Sequence, residues 1–266
     1  MKYGVQIFGC LKEFRDNPDE FFKKLSEIGY SQIEPCVLFG DTTNVPPQFL
    51  PLLWKPEEVP EFVEMMKKYD LTLTSCHVFA VNPLACVDKM IELAKATTID
   101  TYAFNCGGDY AEIAKTCDEI AAQLKKHNIE YWIHNGSGEV KNKVMLNGKE
   151  VSALEATLAL CKEDIGVQVD VGWVLYGGED PAEYIKKLGS YVRSVHFKDI
   201  GKDYKNLTGL DLFAVLGEGA VECEPVLDAV AYRPEIGILI DQDASKGDFF
   251  EDLEKSVKLL KSLERQ

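Results

Sequence analysis

Short apolar runs alternate with amphipathic stretches along the whole chain, at a spacing of about 25–45 residues. The apolar runs have the length and the β-branched content of buried strands. The amphipathic stretches repeat apolar residues every three to four positions, which is typical of helices that pack on a sheet. We predict eight strands, at residues 4–8, 32–35, 71–76, 101–105, 129–133, 167–170, 191–195 and 237–240.

Local signals at the helix ends support the same division. The first predicted helix follows Asn17, a favourable N-cap, and ends at Gly29, while Ser152 precedes another helix. We predict helices at residues 18–28, 57–68, 84–96, 111–126, 153–160, 182–188, 224–231 and 249–263. Three longer segments are predicted to be loops, at residues 38–56, 136–148 and 201–219.

Eight strand–helix units without a linker predict the α/β class and a single (β/α)₈ TIM barrel that covers residues 1–266. The alternative architecture is a doubly wound open sheet. That sheet is disfavoured because no G-x-G-x-x-G fingerprint follows the first strand.

Composition and charge narrow the classes of partner. The net charge of −15 argues against nucleic acid and against an anionic membrane surface, because both would be repelled. No run of 18 apolar residues predicts a membrane span, and the first residues lack the pattern of a signal peptide. Eight cysteines occur without a C-x-x-C pair, which is typical of reduced thiols, so we expect a cytoplasmic protein.

Candidate chemistry is concentrated where predicted strands end. In a barrel of this type, the carboxyl ends of the strands carry the active site. Imidazole nitrogens together with carboxylate oxygens suit a divalent ion such as Mn²⁺, Zn²⁺, Co²⁺ or Mg²⁺. The side chains of this kind at or just after strand ends are Glu34, His77, His134, Glu139, Asp170, His196 and Asp241.

Four segments carry a resemblance to a known family. Residues 169–173, 178–181, 195–199 and 240–245 read VDVGW, GEDP, VHFKD and IDQDAS. Weaker similarities lie around Glu34, at residues 75–77 and at residues 133–139. With these motifs the chain resembles the xylose-isomerase-like TIM-barrel superfamily, which includes sugar phosphate isomerases and epimerases and is also called the AP-endonuclease-2-like family.

The resemblance implies one divalent metal ion, held by Glu139, Asp170, His196 and Asp241. Two positions depart from the family pattern. The eighth strand offers Asp241, which has a shorter arm than the usual Glu. The fifth strand ends in IHNGSGE, with Gly136 where the nearest subgroup has a second histidine, so either Glu139 or His134 supplies the ligand there.

The resemblance also implies the activity, a metal-dependent sugar isomerase or epimerase that abstracts a proton next to a carbonyl through an enediolate. An inosose-dehydratase-like or 3-keto-glycoside lyase on the same site is the alternative. A metal-free binding protein and a DNA-repair endonuclease rank below both, the latter because of the acidic charge. The expected partner is a small carbohydrate, and a homodimer is a family-level expectation. The expected catalytic residues are Glu139, Asp241, Lys198 and His134, and the expected substrate-binding residues are Glu34, His77, Asn135 and Trp173.

Overall fold

A curled sheet of parallel strands forms the centre of the molecule, in a computed structural model that describes residues 2–40 and 45–264. The eight barrel strands are close to the predicted ones. They are β1 (Tyr3–Gln6), β2 (Gln32–Glu34 and Cys36–Leu38), β3 (Thr72–Leu73 and Cys76–Phe79), β4 (Thr101–Asn105), β5 (Glu130–His134), β6 (Gly166–Asp170), β7 (Val192–Phe197) and β8 (Gly237–Asp241).

The sheet closes on itself. Strand β1 pairs with both β8 and β2, and each following strand pairs in parallel with the next one along the chain. Strands β2 and β3 are each interrupted, but their first segments pair with each other and so do their second segments. Pro35, which has no backbone N–H to donate, lies at the break in β2. The predicted TIM barrel is therefore confirmed.

Helices cover the outside of the barrel. Asn17 Oδ1 accepts a hydrogen bond from the Glu20 N–H at 3.2 Å, and Ser152 caps its helix in the same way, as the sequence predicts. The described helices are α1 (Leu11–Asp16), α2 (Pro18–Ile28), α3 (Val59–Lys67), α4 (Val87–Ala96), α5 (Tyr110–Leu124), α6 (Ser137–Lys141), α7 (Ala153–Leu160), α8 (Val171–Tyr176), α9 (Pro181–Leu188), α10 (Cys223–Val230) and α11 (Phe249–Leu263).

The segment 136–148 is not the loop that we predicted. It forms α6 and then a β-hairpin of strands Lys143–Leu146 and Lys149–Ser152. Asn147 and Gly148 both adopt positive φ angles, 50° and 77°, at the turn. An Asn-Gly pair with this backbone favours a tight two-residue hairpin turn, which explains why this polar segment is ordered.

The long loop after β2 is anchored to the core. Trp54 is fully buried, and its backbone exchanges hydrogen bonds with Cys36 and Leu38 at 3.0 and 2.9 Å. The part of this predicted loop at positions 41–44 lies outside the described residues. Within the described ranges, no helix combines the length and the apolar character that crossing a membrane requires.

Asp199 ties the loop after β7 to the barrel end. Its buried carboxylate accepts hydrogen bonds from four backbone N–H groups at 2.8–2.9 Å, those of Ile200, Gly217, Gly219 and Val221. A side chain at Gly219 would collide with this carboxylate, so only glycine allows the approach. The loop that follows Lys198 is thus fixed by one side chain.

We expect Asp199→Ala to lower the free energy of unfolding by about 3 kcal/mol, because four backbone N–H groups, two of them on buried residues, lose their acceptor. Chemical denaturation of the purified protein measures the change. The matched control is Asp203→Ala, which removes an exposed carboxylate bonded only to the Asn206 side chain and is expected to cost less than about 0.5 kcal/mol. Equal effects of the two substitutions would contradict this role of Asp199.

Candidate functional site

A cluster of buried polar side chains lies at the carboxyl ends of the barrel strands. Residues two apart on a strand point to the same face, so Gln168 and Asp170 of β6 both face the barrel interior, as do His196 of β7 and Lys198 just after it. Asp170 and His196 are register partners on neighbouring strands. The cluster members, each at most 4% exposed, are Glu34, His77, His134, Gln168, Asp170, His196, Lys198 and Asp241.

Three of these side chains form a possible metal site. One ligand atom from each of His134, Asp170 and His196 lies within 4.8 Å of the other two. Asp170 Oδ2 and His196 Nε2 are both buried, and each contacts a charged group, Lys198 Nζ at 3.0 Å and Glu34 Oε2 at 2.8 Å. Two imidazoles and a carboxylate that converge in this way fit a divalent cation.

His196 is held between two carboxylates. Its Nδ1 lies 3.0 Å from Asp241 Oδ2, and its Nε2 lies 2.8 Å from Glu34 Oε2. Burial lowers the pKa of His196, but the two carboxylates outweigh burial and raise that pKa to about 10. A carboxylate on Nδ1 is also the arrangement that orients a metal-binding histidine, whose other nitrogen then faces the ion.

The hydrogen bonds of Gln168 define the tautomer of His134. The Gln168 amide nitrogen donates to Glu34 Oε1 at 2.6 Å, so the amide oxygen faces His134 Nδ1 at 3.0 Å. Nδ1 must then carry the proton, which leaves Nε2 as a lone pair 3.7 Å from Asp170 Oδ2. Burial lowers the pKa of His134 well below its usual value, and the neighbouring His77 and His196 add to the effect, so the ring is neutral.

Glu34 is the anchor of this hydrogen-bond network. Ser75 and Gln168 both donate to its Oε1, and its Oε2 faces His196. Burial raises the pKa of Glu34, but the charge of His196 dominates, and the net shift is downward. Glu34, which we expected to bind substrate, is therefore an ionised carboxylate in contact with a candidate ligand.

Lys198 places one ammonium group among three carboxylates. Its Nζ lies 3.0 Å from Asp170 Oδ2 and 2.9 Å from both Asp241 Oδ2 and Asp243 Oδ2. Burial lowers the pKa of Lys198, but the carboxylates raise it well above the usual value, so the group stays charged. The ammonium also lies 5.4 Å from the ring centre of Trp173, within the range of a cation–π contact.

Asp241 and Glu139, two expected metal ligands, each use one carboxylate oxygen in contacts within the protein. Asp241 Oδ2 faces His196 Nδ1 and Lys198, while its Oδ1 makes no hydrogen bond. Glu139 lies in the first turn of α6, where its Oε2 accepts the Gly136 N–H at 3.0 Å. Burial raises the pKa of Glu139. Of the two fifth-strand alternatives, the geometry brings His134 to the cluster and leaves Glu139 outside the converging atoms.

The other expected substrate-binding residues differ in the contacts that they make within the protein. Asn135 exchanges two hydrogen bonds with the backbone of Asp170, at 3.0 and 3.3 Å, so its amide holds β5 to β6. His77 is buried beside the His134 ring, its Nδ1 has no hydrogen-bond partner, and burial lowers its pKa to about 4. Trp173 packs against Lys198 and the ring of Phe213.

Sequence reasoning missed three members of the site. Ser75 and Gln168 bind Glu34, and Asp243 binds Lys198. Gln168 could have been found from the alternation of β6, since it lies two residues before Asp170. Asp243 belongs to the recognised IDQDAS motif, but nothing in the sequence indicates that it reaches Lys198.

Comparisons with known proteins bear on the barrel fold of the chain. The model of the xylose isomerase-like TIM-barrel family matches residues 22–261. Inosose dehydratase of Mesomycoplasma hyopneumoniae is 28% identical over 173 residues, which cover 58% of this chain and 55% of that enzyme. The chain thus spans about half the length of the curated relatives that it matches.

Solved structures share the fold at lower identity. A sugar phosphate isomerase/epimerase from Parabacteroides distasonis superposes with a TM-score of 0.77 at 15% identity, over 98% of this chain and 93% of that one. The probable 3-DHS dehydratase from Bacillus anthracis superposes with a TM-score of 0.71, also at 15% identity, over 98% and 99%. Both structures contain the same barrel as this chain.

We expect Gln168→Leu to lower the free energy of unfolding by about 2 kcal/mol, because His134 Nδ1–H loses its acceptor and Glu34 loses a donor inside the barrel. Denaturant titration measures the change. Gln123→Leu is the control, since Gln123 on α5 makes only one exposed hydrogen bond to the Glu119 carbonyl. A Gln168 variant as stable as this control would show that the network adds nothing to stability.

Proposed function

The chain belongs to the xylose isomerase-like TIM-barrel family, and we propose that it is a metal-dependent sugar isomerase or epimerase. The observation that carries this proposal is the convergence of His134, Asp170 and His196 at the carboxyl end of the barrel, beside the Lys198 ammonium. The likeness to a sugar phosphate isomerase/epimerase supports the choice of a small carbohydrate as substrate.

In this proposal, His134, Asp170 and His196 hold one divalent ion, of the group Mn²⁺, Zn²⁺, Co²⁺ and Mg²⁺. Such an ion, when bound, would polarise a substrate carbonyl and so acidify the neighbouring C–H group. Asp241 orients the imidazole of His196 through Nδ1, and Gln168 keeps Nε2 of His134 unprotonated. The sixth and seventh strands thus supply two ligands, and the fifth supplies the third.

Lys198 and two carboxylates carry the proton chemistry. The Lys198 ammonium binds a substrate oxygen and stabilises the negative charge that develops when the neighbouring carbon loses its proton. Glu139, in the first turn of α6 just after β5, takes that proton at its carboxylate. Asp241, whose Oδ1 makes no hydrogen bond, is the second proton-transfer group.

Two aromatic side chains complete the site. His77 Nδ1 has no partner in the protein and is assigned to a substrate hydroxyl. The exposed face of Trp173, next to the Lys198 ammonium, packs on the substrate ring. Asn135 acts indirectly, since its amide fixes the backbone of Asp170.

A dehydratase is the second candidate, because the curated relatives that match at up to 28% identity are inosose dehydratases. The first step is the same removal of a proton next to a carbonyl. Loss of a hydroxyl from the neighbouring carbon then replaces reprotonation. A proton from the Lys198 ammonium would assist that departure, since Lys198 Nζ lies 3.0 Å from the proposed ligand Asp170.

We expect His196→Ala to weaken binding of Mn²⁺ at least 100-fold, whereas Glu139→Gln keeps the affinity within about threefold of the wild type. The reason is that Nε2 of His196, once it loses its proton, is a ligand in the proposed site, whereas Glu139 is bonded to the Gly136 N–H. Isothermal titration of the metal-stripped proteins measures both affinities. His127→Ala, at an exposed site after α5, is the control. A tenfold loss in Glu139→Gln would instead make Glu139 a ligand.

The reaction itself is tested by exchange of solvent deuterium into a panel of ketoses, inososes and 3-keto-glycosides with the Mn²⁺-loaded protein. Exchange accompanied by isomerisation or inversion is expected for an isomerase or epimerase. Exchange accompanied by loss of water or of an aglycone identifies the lyase alternative. His196→Ala should abolish exchange. No exchange with any member of the panel would overturn the proton-abstraction proposal.

A further inference from the structure

The Lys198 ammonium lies among three carboxylates at the carboxyl end of the barrel. The side chain is 4% exposed, and its three N–H groups face three carboxylates, those of Asp170, Asp241 and Asp243, at 2.9–3.0 Å. Two of these carboxylates are themselves almost fully buried. Removing the ammonium would leave them without a nearby full positive charge other than His196.

Asp170 Oδ2 belongs to two arrangements at once. It is the oxygen nearest to His134 Nε2 among the possible metal ligands, and it lies 3.0 Å from Lys198 Nζ. An ion bound by His134, Asp170 and His196 would therefore share a carboxylate oxygen with an ammonium group. A divalent ion and an ammonium group that contact the same oxygen repel each other strongly in a buried site, because little water screens their charges.

We propose that Lys198 is the resident cation of the metal-free site and that a divalent ion binds in competition with it for Asp170. This inference rests on the proposed metal site. When the ion binds, the ammonium stays with Asp243 and Asp241 and gives up Asp170. Asp243 is the least buried of the three carboxylates, at 13% side-chain exposure, so the ammonium is retained on the side that faces the barrel mouth.

The proposal explains two features of the site together. The carboxylates can be buried without an ion because Lys198 compensates their charge. When the ion arrives, the ammonium gives up Asp170 and so has one N–H group available for a substrate oxygen, while Asp241 and Asp243 keep it in place.

The test uses the intact, chelator-stripped protein and Mn²⁺ as the probe. We expect Lys198→Met, which keeps the unbranched stem of the side chain but loses the charged end, to bind Mn²⁺ at least tenfold more tightly than the wild type by isothermal titration. Its melting temperature in chelator should be lower than that of the wild type, and saturating Mn²⁺ should remove most of the difference. Lys198→Arg retains the charge and should keep the wild-type affinity within threefold.

A second variant is expected to change the affinity for Mn²⁺ in the opposite direction. Asp243→Asn removes the carboxylate that retains the ammonium, so Lys198 should hold Asp170 more firmly and Mn²⁺ should bind at least threefold more weakly. A purely structural role of Lys198 would not move the two variants in opposite directions. Should Lys198→Met fail to fold, Asp243→Asn alone carries the test, and an unchanged or tighter affinity in that variant overturns the proposal.

The outcomes separate this inference from the proposed function. Wild-type binding of Mn²⁺ with equal or weaker binding by Lys198→Met overturns the competition and leaves the proposed function standing. If Lys198→Met binds Mn²⁺ and the wild type does not, the Lys198 ammonium excludes the ion completely, which supports the competition. Binding by neither protein overturns both the metal site and the competition.

Discussion

Compensation of buried charge is the constraint on which this site depends. Four carboxylates, from Glu34, Asp170, Asp241 and Asp243, meet at the carboxyl end of the barrel. An unpaired charge in such a place costs about 3–5 kcal/mol when its partner is removed. Lys198 and His196 supply the compensating positive charge, and each of them contacts more than one carboxylate.

The barrel creates this density of charge by its geometry. Parallel strands deliver their last residues to one end, and neighbouring strands place those residues side by side, as with Asp170 and His196. Side chains that would be isolated on separate loops become mutual partners. The core below them is apolar, so the polar network is confined to the end of the barrel where a substrate would enter.

The fold and the position of the site could be predicted from the sequence, because both follow from local patterns. The repeated strand–helix rhythm and the polar residues at strand ends required no distances. The roles of particular residues could not be predicted in this way. Whether Asp241 reaches an ion or the Nδ1 of His196 is decided by about one carbon–carbon bond of side-chain length. Whether Glu139 or His134 points into the barrel depends on α6, a short helix that we did not predict in this polar segment. The Asn-Gly pair that follows α6 does indicate a hairpin turn from the sequence alone.

Asp170 has a second task at the end of β6. Its Oδ1 accepts the N–H of Trp173 at 3.0 Å and so begins α8 without any intervening loop, while its Oδ2 faces the cluster. The same carboxylate therefore sets both the start of a helix and the chemistry of the site. An inserted residue at this connection would separate the helix from its cap and move the carboxylate. The hairpin at residues 143–152, which is joined to the barrel by α6 and α7, holds no residue of the site, so an insertion at its turn would leave the site in place.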